Sequence, residues 1–82
     1  PLTEERRREL TRVVARRVEE ARIAVRTCRR DGLNDLRELE KEKMVSEDEF
    51  YVGKDDLQEL TDKYIEMVDE IGQAKEQEIL EI

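Results

Sequence analysis

Apolar and small residues recur along the first half of the chain at Leu10, Val14, Val18, Ala21, Val25, Cys28, Gly32, Leu36 and Leu39, always three or four positions apart. That spacing places them on one face of an α-helix. Thr3 stands where an N-cap would, and Glu4 and Glu5 follow it, where a helix N-terminus favours negative charge. Gly32 lies inside the run, but a glycine costs only about 1 kcal/mol relative to Ala in a helix interior, too little to end a helix with this periodicity on both sides. The break is expected at Val45 and Ser46, because Ser46 followed three residues later by Glu49 has the form of a capping box. Beyond it, Phe50, Gly53, Leu57, Leu60, Tyr64, Met67, Ile71 and Ala74 alternate steps of three and four, a heptad pattern, and Val68, Ile79, Leu80 and Ile82 widen the seam.

The pattern predicts an all-α chain with helices over about residues 3–45 and 47–81, each roughly 55 to 60 Å long at 1.5 Å per residue. The short connection folds them into a long antiparallel helical hairpin. Two helices bury one stripe each, yet the apolar arcs are wider than a two-stranded seam and carry Val13, Ile23, Ile65 and Val68 at their edges. A third helix is therefore expected, which makes the hairpin part of an elongated three-helix bundle; a free-standing antiparallel coiled coil is the alternative. The chain opens at Pro1 without an initiator Met, and the expectation is that an upstream segment has been cut away.

Composition narrows the function more than the fold. Of 82 residues, 48% are charged, three are aromatic, and none is His or Trp. With no glycine-rich phosphate loop and no paired ligand motif, the chain carries no recognisable catalytic, metal or cofactor site, and no small-molecule substrate is expected. An enzyme is the weakest reading. The lone Cys28 has no internal disulfide partner, and its place on the apolar face predicts a buried, inert thiol. No apolar run approaches the roughly 20 residues that a membrane span needs, so the expectation is a reduced, soluble, cytoplasmic protein without a membrane partner.

The net charge of -7 conceals an asymmetry: residues 1–45 hold 13 Lys or Arg against 10 Asp or Glu, and residues 46–82 hold 3 against 13. From Arg6 to Arg30 there are ten Arg, no Lys, and only Glu9, Glu19 and Glu20 to oppose them. Arg is the cation suited to bidentate phosphate contacts. At about 100° per residue, Arg8, Arg12, Arg16, Arg22, Arg26, Arg29, Arg30 and Arg37 share one broad sector, nearly opposite the apolar line. Such a band along a rigid rod is the footprint of a surface that tracks phosphates, and the absence of stacking aromatics directs it to structured RNA rather than a single strand. The plainer reading is a solvated charged face, with Glu9, Glu19, Glu20 and Asp35 pairing locally.

The opening PLTEERRREL, the central ARIAVRTCRRDG and the closing LQELTDKYIE with KEQEIL resemble, in order and spacing, the C-terminal portion of ribosome recycling factors, over almost the whole chain. The resemblance implies the second and third helices of a three-helix bundle, with the N-terminal helix and the inserted α/β domain of that family absent. It implies a factor that acts after termination, lies along the large subunit and its ribosomal RNA, and separates the subunits together with elongation factor G and GTP. By the same resemblance Arg26, Arg29 and Arg30 match the family's central arginines, the first two being the best candidates for rRNA contact; Arg22 belongs to the same stripe. Thr27, Cys28 and Gly32 stand where the family usually has Asn, an aliphatic residue and Ala, and Phe50 to Gly53 replaces a normally charged segment. Gly32 is expected to loosen the helix beside the arginines, and the FYVG segment to disturb the start of the second helix. A helical-hairpin module that binds proteins through its seam and acidic second helix, without RNA, is the competing reading.

Overall fold

Two caps set where the helices begin. In the computed structural model, which describes residues 2–82, helix α1 spans Glu4–Lys41 and helix α2 spans Glu47–Glu81. The Thr3 hydroxyl accepts from the Arg6 backbone N–H at 3.0 Å, satisfying one of the free donors of the first turn. Ser46 closes a full capping box: its hydroxyl accepts from the Glu49 N–H at 3.1 Å, and the Glu49 carboxylate accepts from the Ser46 N–H at 3.0 Å. These hydrogen bonds from Ser46 hold the Glu49 carboxyl below its ordinary range. The helix starts cleanly at Glu47, so the FYVG segment disturbs nothing.

The first helix stops at Lys41, short of the expected 45. Lys43 adopts a left-handed backbone with φ 58°, the Met44 N–H donates to the Leu39 carbonyl, and the Lys43 N–H donates to the Glu40 carbonyl. This is a Schellman closure, which satisfies the last carbonyls of α1 and turns the chain back. Glycine normally marks that position. Here a lysine takes it, and the sequence carries no sign of the stop.

The two helices run antiparallel as a rod of 61 × 15 × 10 Å. Its radius of gyration is 18.5 Å, against about 12 Å for a compact domain of this length. The accessible surface of 6604 Å² exceeds the roughly 5,200 Å² of a compact chain of this mass. The seam explains the excess. Among the described residues only Phe50, Thr61, Gly72 and Ile79 of α2 are buried, and none of α1 is. At about 100° per residue these four lie together, and the heptad residues Leu60, Tyr64, Met67 and Ile71 lie about 90° around the helix from them. The latter stay 43 to 58% exposed.

Close approach along the buried line depends on glycines. A Cβ on Gly72 would stand 2.6 Å from Val18 Cγ2, one on Gly32 3.2 Å from Leu57, and one on Gly53 3.3 Å from Leu36. Branched side chains of one helix sit over bare backbone of the other. Gly32 therefore serves packing within an unbroken helix. At the open end, the Arg7 guanidinium donates to the carbonyls of Ile79 and Leu80, both at 2.9 Å, and to that of Ile82. The last turn of α2 has no basic residue of its own, so Arg7 supplies the positive charge that a helix C-terminus favours.

Gly72→Ala is expected to destabilise the hairpin by about 1 to 2 kcal/mol, because overpacking against stiff Val18 outweighs the better helix propensity of Ala. Gly32→Ala, facing a more pliable Leu57, should be close to neutral. A thermal melt in which Gly72→Ala gains stability would show that the helices can part freely. The capping box adds a pH effect: because folding lowers the Glu49 pKa, its contribution is present at neutral pH and is lost as the pH falls through the carboxylate range. Glu49→Gln should remove that part of the acid sensitivity of α2, read by circular dichroism; an unchanged acid profile in the variant would count against it.

Candidate nucleic-acid interface

Helix α1 carries its arginines on both sides of the seam line, and the structure sorts them by depth. Arg7, Arg22 and Arg29 are half-buried, whereas Arg6, Arg8, Arg12, Arg16, Arg17, Arg26, Arg30 and Arg37 are exposed. Arg22 crosses to α2. Its Nε donates to Asp69 Oδ1 at 2.8 Å, its Nη2 stands 2.6 Å from the same oxygen, and its Nη1 is 3.2 Å from Glu19 Oε2. The hydrogen bond to Asp69, and then that to Glu19, raises an already high guanidinium pKa, so the charge is permanent. Arg29 also reaches α2, through a long 3.4 Å hydrogen bond to Gln58 Oε1.

The outward arginines differ in how far carboxylates neutralise them. Arg8 lies 3.7 Å from Glu4, Arg16 3.9 Å from Glu20, and Arg30 3.7 Å from its neighbour Asp31. These are loose, exposed pairs that hold their partners weakly. Among the described residues Arg12, Arg26 and Arg37 make no ion pair. Of the four residues singled out in the sequence, Arg26 thus points outward unpaired, Arg30 outward beside Asp31, and Arg29 at the rim with a neutral partner. Arg22 is held in the interhelical ion pair. Sequence spacing finds the band but misses Arg7, which angular position alone assigns to the seam.

Two apolar residues lie elsewhere than expected. Cys28 is exposed, because the face it occupies is not covered by α2; it borders a groove of about 340 Å³ with Ala24, Val25, Leu57, Leu60 and Tyr64. Val13 and Ile71 line a similar groove of about 320 Å³ further along. Ile23, expected at an edge of the apolar arc, stands 55% exposed and away from both grooves. No helix among the described residues is long and apolar enough to cross a membrane.

Because Arg22 joins the helices and Arg26 does not, Arg22→Ala is expected to lower the melting midpoint by a few degrees and Arg26→Ala to leave it unchanged. Equal midpoints would mean that the pair with Asp69 adds nothing to the hairpin.

The family model for ribosome recycling factor matches residues 1–80. The chain is 56% identical over its full 82 residues to the ribosome-recycling factor of Symbiobacterium thermophilum, 56% over 81 residues to that of Roseiflexus castenholzii, and 50% over 82 residues to that of Halalkalibacterium halodurans. It spans 44% of the length of each of these relatives. With an all-helical hairpin, a matching family model and relatives at this identity over the whole of its length, the chain belongs to the ribosome recycling factor family.

Proposed function

We propose that this chain is the ribosome-binding hairpin of a ribosome recycling factor, a non-catalytic cytoplasmic translation factor that takes post-termination ribosomes apart together with elongation factor G. The arginine face of α1 lies against ribosomal RNA of the large subunit, with Arg26 and Arg29 as principal contacts and Arg30 beside them. Arg22 holds the helix in register with α2 and adds charge from behind. The observation that carries this reading is the unpaired, outward Arg26 on a rigid helix, flanked by Arg29 and Arg30 and opposed by no carboxylate among the described residues. The Arg26 guanidinium can exchange counterions for phosphates without first breaking an internal pair.

The exposed strip of Leu60, Tyr64, Met67 and Ile71 supports the rest of the proposal. It takes a third helix, supplied by the N-terminal part of a longer protein, to complete the bundle. Engagement of elongation factor G belongs to an inserted α/β domain, so the hairpin alone binds the large subunit without separating it from the small one.

Replacing Arg26 and Arg29 together by Ala should weaken binding to large subunits and flatten its salt dependence, the slope of log affinity against log salt falling by about 0.7 to 0.9 for each phosphate no longer neutralised. Binding unchanged in strength and slope would favour the protein-interaction module over RNA recognition.

A further inference from the structure

Helix α1 has two large apolar side chains that the fold leaves exposed, Val13 and Ile23. Val13 lines one of the apolar grooves along the seam, so its exposure belongs to that face. Ile23 has no such explanation. It lies about 175° from the centre of the apolar line of α1 and about 20° from Arg12, Arg16 and Arg30, towards one edge of the arginine band. One turn away on the helix surface stand Glu19, Glu20, Arg26 and Thr27. Resting on the RNA-binding reading above, we infer that Ile23 is an apolar contact residue of this face, packing on the ribose and base edges of the shallow minor groove of an A-form RNA helix while the arginines around it take the phosphates.

The chemistry fits the position. The minor groove of duplex RNA is wide and shallow, so a helix can lie on it with a short side chain reaching the sugars. A β-branched residue in a helix is confined largely to one χ1 rotamer, so Ile23 presents a fixed shape and loses little freedom on contact. Its apolar surface, more than half of it exposed in the free chain, leaves water only if something covers it. Apolar contact releases no counterions, which separates its signature from that of an arginine.

The test measures binding of this chain and its Ile23→Ala and Arg26→Ala variants to large ribosomal subunits across a series of salt concentrations. Ile23→Ala, a change at an exposed site to a better helix former, should keep the melting midpoint and lower affinity by roughly three- to ten-fold, with the salt slope unchanged. Arg26→Ala should lower both affinity and slope. Full affinity in Ile23→Ala alongside a weakened Arg26→Ala overturns the Ile23 contact and leaves the RNA-binding face standing. No binding by the parent chain, or no effect of either variant, overturns both. A loss in Ile23→Ala with intact subunits but not with deproteinised ribosomal RNA assigns the residue to a ribosomal protein and refutes the RNA contact.

Discussion

Two helices of this length touch along a single line, and the line is drawn by glycines. Val18 over Gly72, Leu57 over Gly32 and Leu36 over Gly53 let the backbones approach until branched side chains rest on bare chain. Because each helix spends only that one line on the other, most of each surface remains outside. The arginines of α1 and the heptad strip of α2 are the two largest consequences: one is polar and cationic, the other apolar.

The same constraint divides the arginines. Those near the seam, Arg7, Arg22 and Arg29, find partners on α2, whether carbonyls, a carboxylate or an amide. Those further round point into solvent, where only residues of the same helix oppose them. A band that reads as uniform in the sequence is therefore two sets with different work, one holding the rod together and one available to a polyanion. The negative total charge of the chain does not contradict this, since the excess of acidic over basic residues lies in α2.

Much of the fold is legible in the sequence because it is local. Thr3, and Ser46 with Glu49, announce the helix starts through hydrogen bonds spanning three residues, and periods of three and four reveal the helices between them. The stop at Lys41 is not legible, since the left-handed turn falls on Lys43 where no glycine marks it. Nor is the azimuth of α2: its heptad residues Phe50, Gly53 and Leu57 do pack on α1, but further along α1 packs against a line about 90° from Leu60, Tyr64, Met67 and Ile71, which depends on register between distant segments. That one angle decides why Cys28 is uncovered and why Arg22 meets Asp69. Ile23 departs from expectation for a different reason: its apolar character points to the seam, but its angle on the helix, taken alone, already sets it among the arginines.

The grip of Arg7 on the far end of α2 has a consequence for how the rod assembles. Its hydrogen bonds join residues 72, 73 and 75 positions apart, among the most distant pairings in the chain. Closing so long a loop directly is entropically costly, whereas contacts beside the turn close short ones. Pairing should therefore spread from the turn outward, with the guanidinium fastening the open end last. Loss of Arg7 would then speed unfolding while leaving the folding rate nearly untouched; a slowed folding rate would place this end of the rod in the nucleus instead.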